Sequence, residues 1–291
     1  PYGSGSNYMS MPPTYVYTFD ELDKRLPVTC GFYEINEDFV QQLISTSAMR
    51  ISQAKWSRHF LDNPPGPSTN KGTGINWPML RYSDVLLMFA EAENELNGPT
   101  GLAQNALKRV RSRAFHESVW AEKVDQYVAS VSGSKDDFFH AIVDERAWEF
   151  GGEMIRKYEL IRWNLYYEKV KETVEGLKQM ADAAFAGTSN LPDYVYTKLD
   201  ENGDLLIYNI HEKELAAPDD TWMRHPWLIA LHDDTTPTGY AEWITYDYAN
   251  YVNPGNIGVP DGVVRYIFPI PTIGIDNSKG LLKNDGYNFG F

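Results

Sequence analysis

Carboxylates are the most abundant side chains in this sequence that could do chemistry. A glycoside hydrolase needs two carboxyl groups flanking the bond that it breaks. Acidic residues are grouped in two segments: Glu91 and Glu95 in the first, and Asp144, Glu145, Glu149 and Glu153 in the second. The same segments contain arginines: Arg81, Arg146, Arg156 and Arg162. The acids are therefore predicted to form ion pairs between helices rather than a catalytic pair.

Histidine and cysteine give no support for a metal or cofactor site. The six histidines are His59, His116, His140, His211, His225 and His232. No two of them have the HExxH spacing of a zinc site, and the single cysteine, Cys30, excludes an internal disulfide and a Cys-rich metal centre. The sequence also lacks a GxSxG motif, a Walker loop and a GxGxxG turn after a strand. It predicts no catalytic residue, no metal and no cofactor.

Aromatic residues are in excess, with 19 tyrosines among 291 residues. Sugars stack their C–H faces on such rings while their hydroxyls meet polar side chains, so this composition suits carbohydrate. Trp148 and Trp163 lie in helical segments and are predicted to pack in the core. Aromatic residues on loops are better candidates for ligand contact. The predicted glycan-binding residues are Tyr8, Tyr15, Tyr17, Trp222 and Trp227.

The overall composition excludes several classes of partner. A formal net charge of -14 disfavours nucleic acid and anionic lipid, which bind clustered Lys and Arg. No apolar run approaches the roughly 20 residues of a membrane-spanning helix. A chain of this length with 43% hydrophobic residues can bury a sizeable core.

Helical periodicity is strongest in the middle of the chain. Leu80 to Asn97 predicts a helix with a wide apolar stripe that includes Val85, Leu86, Met88, Phe89, Ala92 and Leu96, followed by the stop Asn97-Gly98-Pro99. Leu102 to Val110 continues the pattern in a second helix. Ser134 and Asp137 predict a capped third helix that begins near Lys135 and is broken by Gly151-Gly152. Helix is predicted again from Glu153 to about Ala186, with an interruption, on the exposed charges of EKVKETVEGLKQ.

The rest of the chain is predicted to be less regular. Residues 1–30 have a turn-forming composition, and a further helix is predicted from Asp38 to Leu61. YVYTKLDENGDLLIYNI predicts a β-hairpin around Asn202-Gly203, and this is preferred to a calcium loop at Asp200 to Asp204 because the ligand register is wrong. The tail from Val263 is predicted to be irregular and to wrap the helical body. We predict a single domain over 1–291, divided into a loop-rich start (1–75), a helical core (76–186) and a loop-rich end (187–291).

Four segments together resemble a known family. They are RYSDVLLMFAEAENEL from Arg81, VRSRA from Val110, DERAWEFGGEMIRKYELIRWN from Asp144 and RYIFPIPTIGIDNSKGLLKNDGY from Arg265. These segments resemble the C-terminal half of the SusD/RagB family, the surface glycan-binding lipoproteins of Bacteroidetes-type bacteria. The resemblance implies a mainly α fold of tetratricopeptide-like helical hairpins, with long irregular loops and a few short strands. Relatives are commonly about twice as long, so we expect this chain to be a C-terminal portion of such a protein or a mature product whose first half has been removed.

The resemblance also implies a function. It predicts non-catalytic binding of an oligosaccharide or polysaccharide at the bacterial outer membrane, with delivery to a TonB-dependent, SusC-like transporter. It implies a lipid anchor in the full-length protein, although the signal and the anchor cysteine do not occur in this sequence. Two alternatives stay open: a helical-repeat scaffold that binds protein without a sugar site, and a glycoside hydrolase, which rests only on the number of acids.

Overall fold

The structure, a computed structural model, describes residues 10–36, 38, 40–44, 51–63, 75–213, 216–228 and 270–283. The chain divides into two compact units. The first is Pro1–Arg156 with Asn190–Ala230, and the second is Lys157–Ser189 with Leu231–Phe291. The described part is mainly helical with a few short strands, which confirms the predicted fold class. The single-domain organisation stays a prediction.

The start of the first unit contains short elements rather than one long helix. In chain order they are α1 (Pro13–Val16), α2 (Leu26–Thr29), β1 (Cys30–Gly31), β2 (Tyr33–Ile35), β3 (Gln41–Leu43), β4 (Ser52–Gln53) and a 3-10 helix (Arg58–Phe60). β1 pairs antiparallel with β4, and β2 with β3. The prediction of a helix from Asp38 to Leu61 is therefore wrong. Its sparse apolar positions serve strands that pair with chain outside the segment, and such pairing leaves no local periodic signal.

A helical hairpin follows, and it confirms the strongest helix prediction. α3 (Tyr82–Asn97) ends at Gly98, whose φ of 79° suits a residue without Cβ. α4 (Gly101–Arg111) begins after Thr100, whose hydroxyl accepts a hydrogen bond of 3.3 Å from the Ala103 amide. The cap and the glycine turn therefore set the two helices antiparallel and side by side.

The buried face of α3 is not the predicted one. Leu87 and Ala90 are fully buried against the neighbouring helices, whereas Val85, Phe89 and Leu96 are exposed. α3 carries apolar residues on both faces, so periodicity alone cannot say which face meets the core. Within the described part of the chain, most of the predicted stripe is therefore exposed, although Leu86 is partly buried and packs against the core.

The core of the first unit is completed by the helices after α4. A 3-10 helix (Glu117–Val119), a π-helix (Ala121–Gln126) and α5 (Tyr127–Val131) lead into α6 (Lys135–Phe150). Ser134 caps α6 as predicted, because its hydroxyl accepts from the Asp137 amide at 3.0 Å. α6 ends before Gly151-Gly152, also as predicted. The core residues from α3, α4, α5 and α6 are mainly aliphatic, with two phenylalanines: Leu87, Ala90, Ala103, Ala106, Leu107, Val110, Val128, Phe138, Ala141, Ile142 and Phe150.

Helices also make up the described part of the second unit. α7 (Arg156–Arg162) begins at the boundary between the units, and α8 (Tyr166–Phe185) follows after a turn at Asn164. This confirms the interrupted helix predicted from Glu153 to Ala186. The tail contains α9 (Thr272–Asn277), so the prediction of an irregular tail is wrong at these residues. Within the described ranges, no helix is long and apolar enough to cross a bilayer.

The last described elements of the first unit form a three-stranded antiparallel sheet. β5 (Tyr194–Leu199) lies between β6 (Leu205–Tyr208) and β7 (Met223–Pro226). The turn between β5 and β6 is held by Asp200, whose carboxylate accepts from the amides of Asn202 at 2.8 Å and Asp204 at 2.9 Å. Gly203 supplies the positive φ of this turn. The hairpin predicted around Asn202-Gly203 is therefore confirmed.

Candidate functional site

One face of the three-stranded sheet collects aromatic and cationic side chains. Alternation along β5 places Val195 and Thr197 on the buried face, where their exposure is 0% and 1%. Tyr194, Tyr196 and Lys198 belong to the opposite face. The strand register sets Tyr196 between Tyr208 of β6 and Arg224 of β7. Cross-strand neighbours on one face are close enough to contact one another, so the sheet itself assembles this group.

Trp222 lies across this face, immediately before β7. Its ring centroid is 5.6 Å from that of Tyr208, and the Lys198 ammonium lies 4.6 Å from the indole centroid. The Arg224 guanidinium covers the Tyr194 ring at 3.6 Å. We call the six residues the aromatic face: Tyr194, Tyr196, Lys198, Tyr208, Trp222 and Arg224. Its four rings are half-buried, so each is partly open to solvent and partly fixed by packing.

Side-chain hydrogen bonds hold the strands that carry the aromatic face. Gln41 of β3 accepts from the Leu205 amide at 2.8 Å and donates to the Asp204 carboxylate at 2.6 Å, which fixes the start of β6. Asn209 closes the other end of β6 by donating to the Tyr194 carbonyl at 3.0 Å. On the buried face, the Thr197 hydroxyl and His225 Nε2 lie 2.8 Å apart and join β5 to β7. Burial lowers the pKa of His225, so the neutral ring is favoured there.

The turn before Trp222 is fixed by Asp219. Its carboxylate accepts from the Thr221 hydroxyl and, at 2.8 Å, from the Thr221 amide, and these bonds hold its pKa below the usual range. The Trp222 indole N–H is different. It is shielded from solvent and has no hydrogen-bond partner in the described part of the chain. The Trp222 ring, rather than its N–H, is therefore the group that this site presents.

The five sequence-predicted residues fall into different environments. Tyr15 donates to the Ala147 carbonyl at 2.7 Å, and its burial raises its pKa. Trp227 is fully buried and donates to the Tyr17 hydroxyl at 2.8 Å. Burial also raises the pKa of Tyr17, against the opposing effect of that hydrogen bond. Tyr8 lies outside the described residues. The structure therefore brings Tyr17 and Trp227 together inside the unit, and places only Trp222 on the aromatic face.

That these residues contact a glycan stays a prediction, and the structure adds candidates that sequence reasoning missed. The missed members are Tyr194, Tyr196, Lys198, Tyr208 and Arg224. A signal was available for three of them, because Tyr194, Tyr196 and Lys198 alternate within the predicted hairpin and so must share a face. The contribution of Arg224 depends on the pairing of β7 with β5, and the sequence pattern does not predict that pairing.

Ion pairs between elements, as predicted, are present at the other main group of charges, and of the four predicted arginines Arg81 takes part in this group. Glu145 is fully buried and binds two guanidinium groups, those of Arg25 at 2.7 Å and Arg111 at 2.9 Å. Arg25 also binds Asp23 at 2.7 Å. Glu149 binds Arg81 at 2.9 Å. These contacts tie α2 and the start of α3 to α6.

Glu153, in the turn after α6, belongs to the same group. It accepts from Lys55 at 2.6 Å and from Arg81 at 2.8 Å. Burial lowers the pKa of Lys55, and the neighbouring carboxylates oppose that effect. Burial acts to raise the pKa of Glu149, but the hydrogen bond and charge of Arg81 outweigh it, so that pKa is lowered. We call this group the ion-paired cluster: Asp23, Arg25, Lys55, Arg81, Arg111, Glu145, Glu149 and Glu153.

The carboxylates of the ion-paired cluster are poorly arranged for bond cleavage. Glu145 and Glu149 lie four residues apart on α6 and Glu153 lies in the turn after it, and each is neutralised by cations that reach it from other elements. A general acid needs a raised pKa, whereas that of Glu149 is lowered. Among the described residues, no three His, Cys, Asp or Glu side chains form a group that could hold a metal ion.

Comparison with known proteins gives a consistent result. A model of the SusD family matches residues 5–287. A SusD-like protein of Formosa agariphila is 43% identical over 96 residues, which are 32% of this chain and 16% of that protein. The crystal structure of a SusD homolog from Bacteroides thetaiotaomicron matches with a TM-score of 0.60 and 21% identity, over 93% of this chain and 42% of that chain. At that identity the likeness concerns the fold, and this chain spans less than half of the homolog's length.

Proposed function

This chain belongs to the SusD family, and from that premise we propose that it binds an oligosaccharide or polysaccharide without cleaving it. The observation that carries the proposal is the aromatic face, where four half-buried rings lie beside two cations. Flat rings stack on the C–H faces of pyranoses, and ammonium and guanidinium groups donate to sugar hydroxyls. A rigid sheet presents these groups without the entropic cost of ordering a loop on binding.

The proposed activity is binding of the glycan and not cleavage of its glycosidic bonds. A glycosidase keeps one carboxyl protonated and a second free near the scissile bond. The acids of the ion-paired cluster instead meet arginine and lysine at hydrogen-bonding distance. This arrangement supports a structural role for them and supports binding as the function of the chain.

The proposed place of this activity is the outward side of a bacterial outer membrane. There the protein would hold the glycan and deliver it to a TonB-dependent, SusC-like transporter, with the full-length protein attached by a lipid anchor. Family membership supports these three statements. A pull-down with the transporter from the same organism, with and without bound glycan, tests the partnership with the transporter directly.

The binding proposal is tested with Trp222→Ala. We expect saturable binding of at least one glycan from an immobilised array, and a loss of affinity of about 10-fold when the Trp222 ring is removed. Trp120→Ala is the control, because Trp120 is an exposed tryptophan that donates to the Ser112 carbonyl at 3.0 Å, outside the aromatic face. Unchanged affinity in Trp222→Ala would reject the aromatic face as the site. Release of sugar by the purified protein at enzyme-like turnover would reject non-catalytic binding.

One observation favours a second candidate function, a protein-binding helical scaffold. Tyr82, Val85, Phe89 and Leu96 form an exposed apolar row along α3, on the side away from Leu87 and Ala90. Soluble proteins rarely leave such a surface uncovered unless another protein packs on it. Under this alternative, Phe89→Asp abolishes binding to the transporter while every glycan on the array gives a blank result. Glycan binding that survives Phe89→Asp supports the first proposal.

A further inference from the structure

A second exposed aromatic group lies in the first unit, apart from the residues of the aromatic face. The rings of Trp56 and Trp77 are stacked, with centroids 4.3 Å apart and planes inclined by 22°. Trp77 remains 42% exposed although one of its faces meets Trp56. We propose that this stacked pair is a second carbohydrate platform, which takes one neutral pyranose ring. The inference rests on the proposed function, because it adds a subsite to a glycan-binding protein.

The inner ring of the pair is fixed by the backbone of the turn after α6. The Trp56 indole N–H donates to the Gly152 carbonyl at 2.8 Å. Gly152 has a φ of 79°, and a Cβ there would lie 3.3 Å from Gln53 Oε1. The positive φ favours glycine at this position, and a Cβ would also press on the end of the Gln53 side chain. The hydrogen bond from its N–H to this turn orients the Trp56 indole.

The outer ring is presented by a restricted backbone. Trp77 is followed by Pro78, and a residue before proline is confined to extended conformations. Stacking on a fixed partner removes further freedom from the Trp77 side chain. A ring that is ordered before binding loses little entropy when a ligand packs on it. This is the property that distinguishes a platform from an exposed aromatic side chain on a loose loop.

The charges beside the pair indicate which class of sugar it takes. Lys55, the residue before Trp56, binds Glu153 Oε1 at 2.6 Å and also donates to the Glu149 carbonyl. Arg81 binds the same Glu153 oxygen at 2.8 Å. Both of these cations are bound to carboxylates, so neither offers an uncompensated positive charge to a uronate or a sulfated sugar. A neutral pyranose, which binds through its apolar face and its hydroxyls, fits these surroundings.

The test compares Trp77→Ala, Trp77→Phe and Trp120→Ala in the full chain, after thermal unfolding has shown that each variant folds. The probes are cellohexaose, maltohexaose, laminarihexaose, xylohexaose and mannohexaose, with affinity measured by calorimetry. For a hexasaccharide that the unaltered protein binds, we expect Trp77→Ala to weaken binding by roughly 3- to 10-fold. Trp77→Phe should recover part of the loss. Trp120→Ala should have no effect, although Trp120 is 40% exposed and so closely matches Trp77.

Trp222→Ala, measured beside these variants, separates this inference from the proposed function. If Trp222→Ala weakens binding while Trp77→Ala matches the unaltered protein, the second platform is rejected and the aromatic face stands. If the unaltered protein binds a hexasaccharide and both variants weaken it, both sites are supported. If the unaltered protein binds no carbohydrate on the array or among the hexasaccharides, the proposed function fails and the second platform fails with it.

Discussion

The ion-paired cluster and the aromatic face use polar side chains in opposite ways. In the cluster, Glu145 is fully buried and both of its oxygens meet guanidinium groups. On the aromatic face, the rings are half-buried, the cations lie over rings rather than on carboxylates, and the Trp222 N–H has no partner among the described residues. One region has satisfied its strongest interactions internally. The other keeps part of its interaction surface available.

This difference has a consequence for substitution. When one member of a buried ion pair is removed, the remaining charge is unpaired in a medium that solvates it poorly. Changes in the cluster should therefore lower stability. Removing a half-buried ring costs little packing but takes away a surface on which a ligand could stack. Changes on the aromatic face should therefore lower binding affinity. The comparison therefore predicts that stability and affinity can be separated by region.

The largest expected effect is that of Glu145→Gln. The substitution leaves Arg25 and Arg111 buried beside a neutral amide, and breaking a buried pair in this way typically costs about 3–5 kcal/mol of unfolding free energy. Urea or thermal unfolding of the purified variant measures this loss. Glu95→Gln is the control, because Glu95 is largely exposed and pairs with Lys135 on the surface. That change should cost no more than about 1 kcal/mol. Equal costs for the two variants would contradict the contrast between buried and surface pairs.

A smaller effect is expected from titrating Glu149 in the same cluster. Its pKa in the folded chain lies below the ordinary value of 4.5, because the hydrogen bond and charge of Arg81 outweigh the effect of burial. The carboxylate therefore contributes its full stabilisation above pH 4.5, and loses it as the pH falls through the folded-state pKa. The effect is smaller than that of Glu145→Gln because Arg81 retains Glu153 as a partner when Glu149 is protonated.

The measurement is the unfolding free energy of the unaltered protein and of Glu149→Gln between about pH 3 and pH 7. Glutamine does not titrate, so the difference between the two proteins isolates Glu149 from the other acids. The difference should be largest near neutrality and should shrink in acid. A difference that stays constant across this range would show that Glu149 does not carry the stabilising charge.

The two regions also differ in how far the sequence predicted them. Ion pairing between Arg81 and the acids at the end of α6 was predicted because arginines and acids occur together in the helical segments. Arg25 was not predicted, because it lies 120 residues from Glu145 and meets it only through the tertiary fold. The aromatic face is more local, since the alternation of Tyr194, Tyr196 and Lys198 is visible within the predicted hairpin. β7 was missed because Met223–Pro226 has little intrinsic preference for a strand and owes its conformation to pairing with β5.

The existence of α3, α4, α6 and α8 was well predicted, but the side of α3 that faces the core was not. Ser134, Gly98 and Gly151 set helix ends through local chemistry, so the sequence contains that information. Which side of α3 is buried depends on the elements that pack against it. Both sides carry large apolar residues, and the choice of Leu87 over Phe89 comes from the fit to α4 and α6. The same limitation applies to Trp227 and Trp222, which are five residues apart and differ in burial.

The smallest expected effect is that of Trp222→Phe. The indole N–H is shielded and has no partner within the described ranges, so its removal takes away an unsatisfied group rather than a hydrogen bond. Phenylalanine keeps a ring in place, so glycan affinity should fall by less than about 3-fold, and the unfolding free energy should change by less than about 1 kcal/mol. Calorimetry and urea unfolding measure the two quantities on the same sample.

Trp227→Phe is the matched comparison for this variant. The Trp227 N–H donates to the Tyr17 hydroxyl at 2.8 Å and the ring is fully buried, so the same substitution leaves a buried hydroxyl without its donor. That change should cost about 1–3 kcal/mol. If the two variants lose equal stability, Trp222 is a packing residue like Trp227, and the aromatic face is part of the core rather than a surface for ligand. If only Trp227→Phe is destabilised, the two tryptophans have separate roles, because a hydrogen-bonded indole holds the fold while an unbonded one leaves its ring for binding.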